Sequence, residues 1–234
     1  MLNDAFAALK SYDWGTDLAP LAPIEDAVAA AHGNAEAGKE LEARLLTALQ
    51  GELSRDAKDY ICRKLMIVGT AASATILAGL LTDENHSHMA RFVLERIPAP
   101  AAAQALREAL PKVSGKVKIG VIGSLGARRD AAAVSALSGL LADGDAAVAR
   151  AAATALGDIG TVDAVKALQA ARPSAAATMQ AAIDAQLTCA EALLAENKRA
   201  EALAIYKSLA SDDRSKLVRL AATRGILACA AKNA

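Results

Sequence analysis

A pattern of apolar residues recurs about every thirty residues along the chain and limits the folds that the chain can adopt. In the stretch VARAAATALGDIG, which begins at Val148, the residues Val148, Ala152 and Leu156 fall four apart and therefore face one side of a helix. The other copies of this helix have an apolar residue at the position that corresponds to Val148: Ile61, Met89, Val117 and Val218. One such helix cannot bury its apolar side alone, so neighbouring copies are expected to stack around a continuous core.

Each of these helices has a partner helix, and short turns separate the two. Residues 163–168 repeat the pattern of residues 132–137 at the same offset that separates Val148 from Val117. Turn-forming residues stand between the helices: residues 82–83, 98–100, 143–144 and 160–161. Alanine, the strongest helix former, is abundant, and aromatic residues make up only 3% of the chain. We therefore predict an all-α fold, a right-handed α-solenoid of stacked helical hairpins with about 14 helices.

These residues resemble the HEAT repeat, whose unit has an acidic turn residue, then a valine–arginine pair and an alanine-rich helix that ends in Ala-Leu-Gly. Here Asp143 precedes Val148 and Arg150, and the helix ends in that tripeptide. The match is strong over residues 54–171 and returns at 212–230, and the phycobilin lyase type has closely related repeats. The resemblance implies that arginines bond turn aspartates or carbonyls of a neighbouring repeat. The residues with this structural role are Arg63, Arg91, Arg150, Asp56, Asp83 and Asp143.

The pattern divides the chain into three segments that we expect to form one continuous domain. Residues 1–53 form an N-terminal helical cap, residues 54–172 carry the HEAT-like repeats, and residues 173–234 form a lengthened hairpin and a last HEAT-like helix. Pro173 is expected to start the third segment by ending the preceding helix. Terminal repeats must shield the edge of the core, so the aromatic residues of the first segment are predicted to form a cap: Phe6, Tyr12 and Trp14.

The two end segments also show recognisable helices. The third segment begins with a run that predicts one long helix, with Met179, Ile183 and Leu187 along its apolar side. The residues ALLAENKRAEALAIYKSL, which follow, resemble a tetratricopeptide-type hairpin. In the first segment, helices are predicted at three places: residues 3–10, 23–32 and 35–50. Gly33 marks the end of the second of these helices.

Composition argues against several classes of function. The chain has 26 basic and 26 acidic side chains, whereas nucleic-acid binders usually carry a basic excess. No apolar run reaches the length of a membrane span, and the first residues lack the pattern of a signal peptide. We expect a soluble chain, with the cytoplasm favoured, that acts as a monomer or as a module of a larger protein. The three cysteines are predicted to be small buried hydrophobes: Cys62, Cys189 and Cys229.

The sequence contains no motif typical of a catalytic or metal site. His86 and His88 stand close to Asp83, but a His-x-His pair at the start of a helix does not complete a metal site. We therefore expect no enzyme activity, no metal and no cofactor. Because some HEAT-like families are enzymes, the alternative is a HEAT-like enzyme or an accessory subunit of the lyase type. The deoxyhypusine hydroxylase type holds two irons with His-Glu pairs, which this sequence lacks.

The expected function is protein binding or scaffolding. In a HEAT stack the second helix of each hairpin usually lines the concave side, and here the helices that contain Ile61 and Met89 carry rings at outward positions. Binding energy at interfaces concentrates in a few aromatic and charged residues. We predict that a protein or peptide binds across five residues on this side: Tyr60, Lys64, His88, Phe92 and Glu95.

Overall fold

The structure is a computed structural model that describes residues 1–171 and 175–231. These residues form fourteen α-helices and no strand, which confirms the predicted all-α fold. The contacts divide the chain into two compact units, unit 1 from Met1 to Val113 and unit 2 from Ser114 to Ala234. The predicted boundary at residue 172 and the helix break at Pro173 lie outside the described residues. The expectation of one continuous domain stays a prediction.

Unit 1 consists of two rows of helices. Its helices are α1 (Leu2–Ala8), α2 (Ala22–Ala31), α3 (Ala35–Leu49), α4 (Arg55–Val68), α5 (Ala71–Leu80), α6 (Ser87–Arg96) and α7 (Pro100–Ala109). In one row α2 packs against α4 and α4 against α6, and in the other α3 packs against α5 and α5 against α7. The three helices predicted for the first segment therefore begin and end within two residues of α1, α2 and α3.

Side chains fix where the helices of unit 1 begin. Ser54 Oγ accepts a hydrogen bond from Ala57 N at 3.0 Å and donates one to Tyr12 O at 2.6 Å, so it caps α4 and holds the chain that precedes α2. At the end of α2, Gly33 has a φ of +74°, a backbone conformation that glycine adopts without strain. The predicted stop at Gly33 is confirmed.

A buried carboxylate connects α3 to the start of α5. Glu42 of α3 is buried and accepts hydrogen bonds from Thr70 N at 2.7 Å and from Ser73 Oγ at 2.5 Å. It also accepts hydrogen bonds from Thr70 Oγ1 at 2.8 Å and from Ser73 N at 3.2 Å. The carboxylate thereby pairs backbone donors that every helix leaves unpaired in its first turn, and its negative charge suits the positive end of the helix dipole. This contact joins helices of neighbouring hairpins.

Unit 2 contains the other seven helices. They are α8 (Gly115–Ala127), α9 (Val134–Gly139), α10 (Ala146–Ile159), α11 (Val162–Ala170), α12 (Ala176–Ala195), α13 (Arg199–Leu209) and α14 (Lys216–Ala230). In one row α8 packs against α10 and α10 against α12, while α9 packs against α11 and α13 joins α12 to α14. The predicted long helix is α12, and the hairpin that resembles the tetratricopeptide type is formed by α12 and α13.

Glycines allow the helices of unit 2 to approach closely. A β-carbon at Gly126 of α8 would lie 2.9 Å from Ala155 Cα of α10. A β-carbon at Gly157 of α10 would lie 3.0 Å from Ala185 Cα of α12. Real side chains almost never approach a neighbouring backbone so closely, so these two positions require glycine. The glycine of the Ala-Leu-Gly tripeptide is therefore a packing residue.

The apolar positions that define the repeat are largely buried. Val148, Ala152 and Leu156 are buried in α10, as predicted. In the other copies the second of the three positions is always buried, whereas Met89 and Val117 at the first position are half-buried. The prediction for α12 is wrong by one residue, because its buried face includes Thr178, Ala182 and Ala185 while Met179, Ile183 and Leu187 are half-buried. Small residues face α10 here because the two backbones are so close.

The aromatic residues of the first segment do not act together as a cap. Tyr12 is buried and its ring centroid lies 5.8 Å from that of Tyr60, while the Arg44 guanidinium lies 4.5 Å above the half-buried Phe6 ring. Trp14, in contrast, is 83% exposed. Its backbone N donates to Asp13 Oδ1 in a tight turn, and this turn places the indole on the surface.

Candidate functional site

Tyr60, the first of the five predicted binding residues, does not lie on an exposed surface. Its side chain is only 4% exposed, and its hydroxyl donates a hydrogen bond to Glu25 Oε1 of α2 at 2.8 Å. Burial, together with this carboxylate, raises the pKa of Tyr60 well above its usual range. The expectation that Tyr60 belongs to an exposed binding surface is wrong, because α2 and Tyr12 cover its ring.

Lys64 belongs to the same polar cluster. Its Nζ donates to Glu25 Oε2 at 2.6 Å and lies 4.7 Å from the centroid of the Tyr60 ring. Partial burial of Glu25 opposes its ionisation, but the hydrogen bonds from Lys64 and Tyr60 outweigh that effect and hold its pKa below the usual range. Lys64 therefore connects α4 to α2 through this ion pair, and its side chain is only 14% exposed.

His88 and Phe92 are brought together by the structure. They are one helical turn apart on α6, both are exposed, and their ring centroids lie 4.4 Å apart. Arg91 Nη2 lies 3.3 Å from His88 Nδ1. Burial lowers the pKa of Arg91, and the Glu95 carboxylate opposes that shift. We refer to His88, Arg91, Phe92 and Glu95 as the α6 patch.

The structural role predicted for the arginines is not observed at two of the three. Arg63 and Arg150 are exposed, and within residues 1–171 and 175–231 neither forms a hydrogen bond or an ion pair. Arg91 contacts His88 on its own helix. An exposed guanidinium gains little from a fixed partner, because water solvates it and ordering its long side chain costs entropy. The predicted ties between turns are therefore wrong for Arg63 and Arg150.

The three predicted turn aspartates act locally. Asp83 Oδ1 accepts hydrogen bonds from Asn85 N at 2.8 Å and His86 N at 3.1 Å, which orders the turn before α6. Asp143 Oδ1 accepts a hydrogen bond from Asp145 N, and Asp145, two residues further along the chain, caps α10. Asp56 lies in the first turn of α4, where a negative charge suits the helix dipole. None of these contacts joins two repeats.

Arg129, which the sequence patterns did not reveal, joins turns that follow different helices. Arg129 follows α8 with a φ of +52°, and its Nη2 lies 3.1 Å from Glu196 Oε1 at the end of α12. The guanidinium passes over Gly160, the residue that follows α10. Gly160 and Asn197 also have positive φ values, of 67° and 61°. Equivalent left-handed residues therefore end α8, α10 and α12, and Arg129 spans all three turns.

A second surface lies on α14. Leu217, Leu220 and Leu227 are 79%, 52% and 66% exposed and follow one side of the helix together with Arg224. The repeat register around Val218 places Leu217, Leu220 and Arg224 at outward positions, and Leu227 extends this stripe. Its spacing of seven residues from Leu220 is the sequence signal that extends the stripe by two turns.

Within the described ranges, no group of three or more His, Cys, Asp or Glu residues is placed to hold a metal ion. The cysteine prediction holds for Cys62 and Cys189, which are buried, while Cys229 is half-buried and all three are free. Burial raises the pKa of Cys62 and of Cys189 to about 12, so both thiols stay protonated at neutral pH. Among the helices described, none is long and apolar enough to cross a membrane.

Comparison with known proteins identifies the repeat. The geometry defines a protein built from repeated helical hairpins, and residues 103–187 match the family model of HEAT repeats. An archaeal HEAT-like repeat protein from Thermococcus onnurineus NA1 is similar in structure, with a TM-score of 0.51 and 15% identity over 98% of this chain and 97% of that one. Residues 103–187 therefore match HEAT repeats, and the predicted resemblance is confirmed.

Two other solved structures are more distant. An engineered protein has a TM-score of 0.45 and 20% identity, with 97% of this chain and 68% of that chain covered. Human deoxyhypusine hydroxylase, in complex with glycerol, has a TM-score of 0.40 and 17% identity, with 98% and 96% covered. Scores at this level carry no argument about function. The search of curated proteins gave no match.

Proposed function

We propose that this HEAT-repeat module is non-catalytic and binds a protein or peptide through the α6 patch. The observation that carries the proposal is the exposed ring pair of His88 and Phe92, with centroids 4.4 Å apart. Phe92 is 37% exposed in a chain with only two phenylalanines. Leaving such a ring in water forgoes the free energy of burying it, which a partner would recover.

The neighbouring charges favour a protein partner. Arg91 and Glu95 lie on the same helix as the rings, so the patch combines an apolar centre with a donor and an acceptor. This combination is typical of the residues that dominate protein interfaces. Balanced charge over the whole chain, with 26 basic and 26 acidic side chains, favours a protein over nucleic acid as the partner.

Affinity capture from the native source tests the α6 patch. The test variant is His88→Ala with Phe92→Ala, and the matched control is Trp14→Ala, which removes an exposed ring elsewhere in unit 1. Both variants should keep the far-UV circular dichroism of the unchanged chain. We expect the α6 variant to lose the partner that the control retains. A partner captured equally by both would place the binding site outside the α6 patch.

The competing class, a HEAT-like enzyme or accessory subunit, is tested on the purified protein. We expect no stoichiometric metal by elemental analysis and no visible absorbance from a chromophore. Bound metal or pigment at one equivalent would contradict the non-catalytic proposal. It would leave the fold assignment intact, because the HEAT repeat accommodates more than one function.

A further inference from the structure

A cavity of about 350 Å³ opens on unit 1 where α2 and α4 end and where α3 and α5 begin. Its lining combines apolar side chains with polar groups near the turns, among them Val28, Ile67, Val68, His32, Lys39 and Thr70. Ile67, which belongs to α4, is 67% exposed. An isoleucine that stays in water beside a cavity forgoes the free energy of burial, which an apolar side chain entering the cavity would recover.

The exposed isoleucine lies on the same surface as part of the α6 patch. The helices α4 and α6 are neighbouring copies of one repeat helix, and both have arginine at the same outward position, Arg63 and Arg91. Phe92 follows Arg91, and Ile67 lies one turn after Arg63. Because α4 packs against α6 in one row, the outward sides of the two helices adjoin. We refer to Arg63, Ile67, Arg91 and Phe92 as the α4–α6 face.

Arg63 determines the charge that a partner must bring to this face. It is exposed, and within the described ranges it forms no ion pair or hydrogen bond. Burial raises the pKa of the nearby Asp59, and the charge of Arg63 opposes that shift. Glu25 of α2 is already bound by Tyr60 and Lys64. A partner that covers Arg63 removes water from its guanidinium, so it must supply a carboxylate in return.

The distance between the two helices suits an extended segment. Packed helices lie about 8–10 Å apart. A polyproline II segment has three residues per turn and rises about 3.1 Å per residue, so its residues i and i+3 point to one side about 9 Å apart. From Phe92 across α4 to the cavity is two such steps, or about six residues. An α-helix would need about twice as many ordered residues, at a higher cost in conformational entropy.

We propose that the α4–α6 face and the adjoining cavity bind an extended, acidic segment of a partner protein. One apolar residue of the segment packs on Phe92, an acidic residue three positions away pairs with Arg63, and a second apolar residue three positions further enters the cavity beside Ile67. This inference rests on the proposed function, because the segment is anchored at the α6 patch. It adds the chemistry of the partner and the direction in which the partner crosses the helices.

Selection from a phage-displayed library of random peptides, with the full chain as the target, tests the acidic contact. We expect enriched peptides to carry an acidic residue with an apolar residue three positions before or after it. A synthetic peptide from this set should bind Arg63→Glu at least tenfold more weakly than the unchanged chain. Lysine in place of the acidic residue of the peptide should restore binding to Arg63→Glu. The matched control is Arg55→Glu, an exposed arginine near the start of α4, which should bind the original peptide normally.

A second pair of variants tests the cavity. Ile67→Glu should weaken the same peptide at least tenfold, whereas Leu18→Glu, which changes an exposed leucine elsewhere in unit 1, should not. If His88→Ala with Phe92→Ala abolishes binding while Arg63→Glu and Ile67→Glu leave it intact, the proposed function stands and this inference is overturned. It is also overturned if no peptide is enriched, or if the enriched peptides become helical on binding, measured by circular dichroism.

Discussion

Unit 1 and unit 2 are built from the same helical hairpin, but they hold neighbouring hairpins together by different contacts. In unit 1, carboxylates cross between helices, as Glu42 does from α3 to the start of α5 and Glu25 does from α2 to Tyr60 and Lys64. In unit 2, Gly126 and Gly157 bring backbones together with no side chain between them. The stacking of these helical hairpins therefore does not require one particular residue chemistry.

The two kinds of contact constrain the helices in different ways. A buried carboxylate with several donors fixes the orientation of a helix, because displacement leaves charge and backbone groups unpaired in a medium of low polarity. Close contact between glycine and alanine gains dispersion energy along the helix, but it requires that no additional side-chain atoms lie between the two backbones. We therefore expect unit 1 to be sensitive to losing a polar group and unit 2 to gaining a methyl group.

The largest effect is expected for Glu42→Ala in unit 1. The change leaves Ser73 Oγ and Thr70 N without the acceptor that they share, and each such group costs roughly 1–3 kcal/mol. We expect a loss of about 4 kcal/mol in the free energy of unfolding, measured by denaturant titration. Glu42→Gln keeps one acceptor oxygen and should lose less. Equal losses in the two variants would show that side-chain volume, rather than hydrogen bonding, stabilises this contact.

Leu156→Ala probes the apolar core of unit 2. Leu156 is buried at the third position of the repeat, and truncation of a buried leucine removes transfer free energy and leaves a cavity. The expected loss is roughly 2–4 kcal/mol. A loss below about half a kcal/mol would mean that the apolar register assigned to α10 is wrong.

Gly157→Ala adds a single methyl group where α10 meets α12. The new β-carbon would lie 3.0 Å from Ala185 Cα, so the helices must separate, at a cost of about 2 kcal/mol. Gly123→Ala is the matched control, because a β-carbon at Gly123 of α8 meets open space. The control should be neutral or slightly stabilising, since alanine favours the helix. Thermal melts that rank the pair in the opposite order would remove the contrast between the two units.

The smallest effect is expected for Arg129→Ala. Its ion pair with Glu196 is about half exposed, and exposed pairs contribute up to about 1 kcal/mol. Arg150→Ala should change the melting temperature less, because Arg150 has no ion pair or hydrogen bond in the described part of the chain. The difference between the two variants should shrink when the salt concentration rises. A larger loss for Arg150→Ala would instead support the role that the repeat pattern predicted for it.

Periodicity predicted the helices and most of the core, because the apolar spacing of α10 and its copies reflects burial directly. It did not predict the exposure of side chains whose surroundings are set by contacts between distant segments or by a local turn. Tyr60 is buried where Glu25, 35 residues away in sequence, accepts a hydrogen bond from its hydroxyl. Trp14 is exposed because a local turn sets its direction. In α12, Ala182 and Ala185 are buried while larger side chains beside them are not, because α10 lies so close that only a small side chain fits between the two helices.

The span of the Arg129–Glu196 ion pair has a consequence for the way unit 2 unfolds. When only adjacent repeats interact, an array behaves as a one-dimensional chain and frays from its ends one repeat at a time. Arg129 follows α8 and Glu196 follows α12, so their ion pair couples repeats that are not adjacent, across the turn at Gly160. Fraying of the outer repeat then also costs this longer-range contact. Because the pair is exposed, a higher ionic strength should weaken it. Fewer repeats of unit 2 should then unfold together.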